Sequence, residues 1–119
     1  MNRKLISSFK FAFEGVSNVF KTQRNFRIQV AVGVLAVGLG LFFNLNNLEW
    51  AILILTISIV LSSEMVNTAI EATVDINTTE IHPKAKLAKD LSAGVVLIIA
   101  LMAIVIGIII FSPHILEIL

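Results

Sequence analysis

Residues Leu48–Asp75 read LEWAILILTISIVLSSEMVNTAIEATVD. Between Trp50 and Leu61 the chain offers only Thr56 and Ser58 as polar side chains, whereas from Glu64 onward three carboxylates and an amide appear. A helix turns 100° per residue, so Glu64, Asn67, Thr68, Glu71 and Asp75, spaced i, i+3, i+4, i+7 and i+11, form one polar stripe. With about 1.5 Å of rise per residue, Glu64 and Asp75 start roughly 16 Å apart along the axis. An apolar run that turns into such a stripe is a helix leaving hydrocarbon. If the hydrocarbon begins near Glu49, about 20 residues carry the helix to around Thr68. Glu64 then lies just inside the boundary, while Glu71 and Asp75 reach headgroups and water.

Two more apolar runs flank this one. Ile28–Phe43, IQVAVGVLAVGLGLFF, has Gln29 as its one strongly polar member and is short enough to need help from its flanks. Leu91–Phe111, LSAGVVLIIALMAIVIGIIIF, carries no charge. Of the 119 residues, 57% are hydrophobic and 14% charged, against about 25% charged in ordinary soluble domains. That balance excludes disorder, a nucleic-acid-binding module and most soluble enzymes. The absence of cysteine excludes disulfides, thiolate metal sites, thiol nucleophiles and iron–sulfur clusters. Phe42-Phe43-Asn44 supplies no small-residue cleavage site, so the first run is a span rather than a signal peptide. The expected architecture is an all-α membrane protein forming a single domain over residues 1–119, with transmembrane helices at about 28–43, 48–74 and 91–111.

The cations set the orientation. Arg3, Lys4, Lys10, Lys21, Arg24 and Arg27 precede the first span, and Lys84, Lys86 and Lys89 lie between the second and third. The loop 44–48 and the tail 112–119 hold none, so the positive-inside rule places the N-terminus and the 75–90 loop in the cytoplasm and the C-terminus outside. Trp50 then sits at the outer interface. Leu5, Phe9, Phe13, Val16 and Phe20 recur at helical spacing opposite Lys4, Ser8, Lys10, Ser17 and Lys21, which predicts an amphipathic surface helix over about 4–21 in the headgroup plane. Asn77-Thr78-Thr79 and Pro83 mark the cytoplasmic turn. His114 reads as a solvated turn residue of the tail.

An intramembrane carboxylate is expensive to bury and is by default a functional candidate. The bland alternative for Glu64 is a helix-gluing hydrogen bond to Ser62, Ser63 or Asn67. Repulsion along the stripe and desolvation would raise the pKa of its deepest member, as a general base for a lipid hydroxyl requires. Lys86, Lys89 and Asp90 share a face at the start of the third span. Cations there suit phosphates, and Glu71 with Asp75 suits a divalent metal, since Mg²⁺ takes one or two carboxylates plus phosphate oxygens. Three helices alone enclose so polar a stripe poorly, and Ala36, Gly40, Ala69 and Gly94 offer small surfaces for close contact between copies.

Glu64-Met-Val-Asn67-Thr-Ala-Ile-Glu71-Ala-Thr-Val-Asp75, followed by Ala85-Lys-Leu-Ala-Lys89-Asp90, closely resembles the signature of the bacterial integral-membrane diacylglycerol kinase family, which includes an undecaprenol kinase branch. The resemblance covers essentially the whole chain, including the surface helix and Arg24-Asn25-Phe26-Arg27. It implies ATP-dependent phosphorylation of a lipid alcohol, diacylglycerol or undecaprenol, at the cytoplasmic side of a bacterial inner membrane. It also implies a homotrimer with shared active sites and Mg²⁺ as cofactor. By the same resemblance Glu64 is the general base, Asn67 a site-organising amide and Glu71 a metal ligand, while Glu80, His82, Lys89 and Asp90 match ATP-contacting positions. Lys4, with Arg3 beside it, matches a basic residue near the phosphates. Two positions depart: Gln23 stands where the family commonly has a second metal-binding Glu, and Phe11 where it often has a Tyr near the nucleotide. The absence of G-x-x-x-x-G-K-[ST], H-R-D and D-F-G agrees with a kinase outside the usual classes.

Rival readings are a small proton-coupled transporter with Glu64 as carrier, or a non-catalytic membrane scaffold descended from the kinase. The transporter needs a polar route that Trp50–Leu61 does not provide. The runs Ser8–Gly15 and Arg24–Arg27 look more like the undecaprenol branch.

Overall fold

The computed structural model describes residues 2–77 and 82–119, so Glu80 lies outside the described residues. Four helices follow in order: α1 (Arg3–Thr22), α2 (Arg24–Phe43), α3 (Asn47–Asn77) and α4 (Pro83–Ile118). The last three are long and apolar enough to cross a membrane. Their outward side chains remain apolar, with Leu41, Leu55 and Ile109 each 60% exposed or more, as expected of a surface that meets lipid instead of water.

Each helix is longer than its apolar run because local chemistry extends it. α2 begins at Arg24, directly after Gln23, whose extended backbone (φ −108°, ψ 109°) is the single break from α1. Arg27 turns back over that corner, donating from one guanidinium nitrogen to the carbonyls of Phe20 and Lys21 at 2.9 Å each. A cation on the last carbonyls of a helix satisfies orphan acceptors and opposes the negative end of its dipole. Asn44, in the left-handed region at φ 55°, ends α2, a conformation Asn tolerates better than most residues. Asn46 and Glu49 then form a reciprocal capping box, with bonds of 2.9 and 3.1 Å between each backbone N–H and the other's side-chain oxygen. α4 opens with Pro83 in its first turn, and His82 caps it by accepting at Nδ1 from the Lys84 amide at 3.1 Å.

The predicted tail is part of α4, which runs through Pro113 to Ile118. Proline removes a backbone donor and would ordinarily stop a helix. Packing overrides it here. Phe111 and His114, on either side of Pro113, both meet Phe43, with ring centroids 6.2 and 5.7 Å away. His114 is thus no solvated turn residue: its Nε2 lies 2.8 Å from Glu49 Oε2, and both side chains are largely covered.

The apolar core sits at this Trp50 end. Leu45, Leu53 and Ile110 are buried, with Ala36, Trp50, Ile57 and Ile106 packed around them. Close approach of α2 to α3 depends on glycine: a Cβ at Gly40 would stand 2.7 Å from the Trp50 ring, and one at Gly33 would stand 3.2 Å from Ile57. Gly40 and Ala36 therefore serve contacts within one chain. Gly94 faces open space and Ala69 is exposed. α1 joins the others through its last turns, where Val19 is buried, and the rest of it is exposed.

Candidate active site

At the end of the bundle remote from Trp50, three polar residues are buried: Glu64 (4% exposed), Asn67 (8%) and Ser92 (7%). Glu64 and Asn67 are on α3 and Ser92 is on α4. The expected stripe is present, graded as depth requires: Glu71 is half-buried and Asp75 exposed. One chain encloses the two inner members with its own helices, contrary to the expectation that three helices leave the stripe open.

Glu64 points to α2. Gln29 donates from Nε2 to Glu64 Oε2 at 3.4 Å, the only hydrogen bond to this carboxylate among the described residues. The anticipated partners are engaged elsewhere: Ser63 donates to the Val60 carbonyl, and Asn67 faces α4 and Glu71. Thr68 donates to the Glu64 backbone carbonyl at 2.9 Å, leaving the carboxylate to Gln29.

A second network joins α3 to α4. The Ser92 hydroxyl donates to Asn67 Oδ1 at 2.6 Å, and Asn67 Nδ2 donates to Glu71 Oε1 at 3.3 Å. The reverse amide orientation would set two acceptors 3.3 Å apart, so Glu71 decides which way Asn67 faces. Asn67 and Ser92 also line an apolar cleft of about 390 Å³ between α3 and α4, together with Ser62, Val66, Ile70 and Val95.

Nearer the helix ends the pairing differs from the expected one. Lys89 reaches Asp75 on α3 at 2.5 Å, while Asp90 is taken by Lys86, one turn away, at 2.6 Å. Lys89 and Asp90 thus act in separate ion pairs, and Asp75 faces a cation instead of offering a second metal ligand beside Glu71. A residue at i+1 points about 100° away around the helix, so Lys89 and Asp90 address different neighbours. The Asp75 hydrogen bond, aided by the charges of Asp75 and Glu71, holds the Lys89 ammonium above the usual lysine range, so it stays cationic at neutral pH. Lys86 is raised in the same way by Asp90.

Other predicted site residues are not gathered here. Among the described residues no group of three or more His, Asp or Glu side chains converges on one point. Gln23 sits at the α1–α2 corner with its amide nitrogen 3.4 Å from the Thr22 hydroxyl. His82 caps α4. Lys4 and Phe11 lie far out on exposed α1, Lys4 being 15 residues, or about 22 Å of helix, before Val19.

The sequence matches a known family. Residues 10–111 fit the family model described as prokaryotic diacylglycerol kinase. The chain belongs to that family. It is similar to the undecaprenol kinase of Bacillus subtilis, with 39% identity over 110 residues covering 92% of this chain and 89% of that protein. It is also 39% identical over 116 residues to the diacylglycerol kinase of Synechocystis, covering 97% of this chain and 66% of the relative. With the diacylglycerol kinase of Haemophilus influenzae it shares 32% over 108 residues, covering 90% and 92%. Membership makes the chain a multi-pass membrane lipid kinase.

Sequence reasoning missed Gln29 and Ser92. Gln29 was visible as the one strongly polar side chain of its span, but Ser92 has no pattern to mark it. Removing the Ser92 hydroxyl orphans Asn67 Oδ1, at a cost of about 1–3 kcal/mol. Ser92→Ala is expected to lower kcat for lipid phosphorylation about 10-fold and to lower thermal stability in detergent. Kinetics and a melting curve on the same preparation check both.

Proposed function

We propose that the chain transfers the γ-phosphoryl group of ATP to a lipid alcohol at the cytoplasmic face of a bacterial inner membrane, with Glu64 as general base. The observation that carries this reading is a buried carboxylate at the boundary of an apolar span, in a chain of lipid-kinase family. Four of the nine Lys and Arg residues precede α2, two lie in its first turn and three in the first two turns of α4, which favours the Glu64 end as the cytoplasmic one. At that depth one site meets both a membrane hydroxyl and aqueous ATP.

In this reading the lipid hydroxyl approaches Glu64, which takes its proton as the oxygen attacks the γ-phosphorus and ADP departs. Asn67 holds Glu71 in place, and Lys89 supplies positive charge toward the phosphates, so catalysis is mainly positioning and electrostatics. The donor set fits Mg²⁺ bridged by phosphate: Glu71 is a half-buried carboxylate with one oxygen on Asn67, and Mg²⁺ commonly takes one or two carboxylates plus phosphates and waters. Glu71 would hold the ion, with the Gln23 carbonyl as a neutral second donor, and it would offset phosphate charge. Lys4 and Phe11 do not reach the site of their own chain, which supports an oligomer, a trimer in this reading, in which exposed α1 serves a neighbouring site.

Undecaprenol is the proposed acceptor, because the Bacillus relative named for it matches this chain nearly end to end. Purified protein with radiolabelled ATP, Mg²⁺ and a lipid panel tests the reading: label should enter undecaprenol faster than diacylglycerol. The reverse order would reassign the acceptor, and no lipid labelling would contradict the kinase reading. For shared sites, chains carrying Glu64→Gln are mixed with chains carrying Lys4→Ala and Phe11→Ala. Verified mixed oligomers should regain activity beyond the sum of the two parents; no gain would argue for self-contained sites.

A further inference from the structure

Beside the Glu64 carboxylate, the described residues contain one buried side-chain polar atom with no hydrogen-bond partner: Gln29 Oε1. The other end of the same amide, Nε2, donates to Glu64 Oε2. Glutamine thus satisfies its donor and leaves its acceptor unused in a closed, largely apolar place, where a carbonyl without a partner is unfavourable. The orphan is explained if the carboxylate does not keep one protonation state.

We propose that Gln29 is a positioning residue serving both protonation states of Glu64, donating from Nε2 to the carboxylate and, after its amide turns over, accepting at Oε1 from the carboxylic acid. The inference rests on the reading of Glu64 as general base. In the resting site Glu64 is ionised and accepts the Nε2 hydrogen, which holds one oxygen against α2 and leaves the other for the lipid hydroxyl. During transfer the lipid O–H bond breaks, an O–H bond forms on Glu64, the lipid oxygen bonds to phosphorus, and the bond from phosphorus to the departing nucleoside diphosphate breaks. Glu64 is then neutral and has become a donor, and the amide N–H is wrongly placed to receive it. Rotation about the last torsion of glutamine, a broad two-fold torsion between sp³ and sp² centres, exchanges Nε2 for Oε1 without moving the backbone. The acid O–H then has an acceptor until its proton passes to water.

The other titratable or charged groups at this end are Glu71 and Asp75 on α3, Lys21 on α1, Arg24 and Arg27 on α2, and His82, Lys84, Lys86, Lys89 and Asp90 before and on α4. Arg27 is bound to α1 carbonyls, Lys89 to Asp75 and Lys86 to Asp90. Gln29 alone bonds the Glu64 carboxylate among the described residues. Removing a donor to the ionised form disfavours that form, so loss of the Gln29 amide raises the pH at which Glu64 ionises.

The test combines kinetics with a signal independent of turnover. Gln29→Met keeps length and apolar fit but neither donates nor accepts. Its kcat at neutral pH should fall about 10-fold, with KM for ATP unchanged and the acid limb of kcat against pH displaced upward by about one unit. A merely structural amide would lower kcat or stability and leave that limb in place, which would overturn the proposal. The chain has two glutamines, Gln23 and Gln29, so ¹⁵N labelling restricted to glutamine side chains, in the full protein in micelles, gives two amide nitrogens to follow. The Gln29 signal should titrate with the acid limb of kcat, and the titration should vanish in Glu64→Gln. A Gln29 signal that is flat, or that titrates equally in Glu64→Gln, would overturn the proposal. Failure of the base reading looks different: the amide still follows Glu64, but Glu64→Gln keeps a near-normal kcat.

Discussion

A carboxylate buried near the polar end of an apolar helix is the constraint on which this molecule turns. At 4% exposure Glu64 is enclosed by α2 and α3 with a glutamine amide against its carboxyl group, since a buried polar group without a partner is costly. That requirement reaches down the bundle. To bring Gln29 against Glu64, α2 must lie close along α3, and Gly33 and Gly40 permit this by giving up side chains where Ile57 and Trp50 stand. The apolar core at one end thereby supports the polar site at the other.

The two ends use different physics. Around Trp50, packing of Leu45, Leu53, Ile110 and the rings of Phe43, Phe111 and His114 closes the bundle. Between lipid-facing helices there is no hydrophobic driving force inside the bilayer, so such contacts contribute through close packing. At the Glu64 end cohesion is polar: Ser92 to Asn67 and, further out, Lys89 to Asp75 fasten α4 to α3, while Asn67 to Glu71 runs along α3 between them. The innermost rungs are rigid and buried. The outermost is an exposed ion pair, weakly held and open to rearrangement when phosphates arrive.

The three membrane helices and the polar stripe were legible in the sequence because both depend on residue order along one helix. What was not legible depends on which helices meet. Ser92 differs in no local respect from the other hydroxyls of the apolar runs, and only the register of α4 against α3 gives it Asn67. His114 looked like a tail residue because Pro113 precedes it, and packing on Phe43 with a partner in Glu49 carried the helix onward. Lys86, Lys89 and Asp90 were legible as one face, but that Lys89 crosses to Asp75 while Asp90 pairs with Lys86 depends on where α3 lies. Lys4 and Phe11, carried over from the family pattern, lie on an arm that touches the bundle only near Val19, and Gln23 stands at the corner where that arm joins α2.

The most direct measurement is the phosphorylation rate of Glu64→Gln, with ATP and lipid binding measured separately on the same protein. The amide keeps the size of the carboxyl group but accepts no proton. The account predicts a fall in kcat of about 10²–10⁴ with both affinities nearly unchanged. A variant that binds both substrates and turns over at close to the normal rate would contradict the central claim.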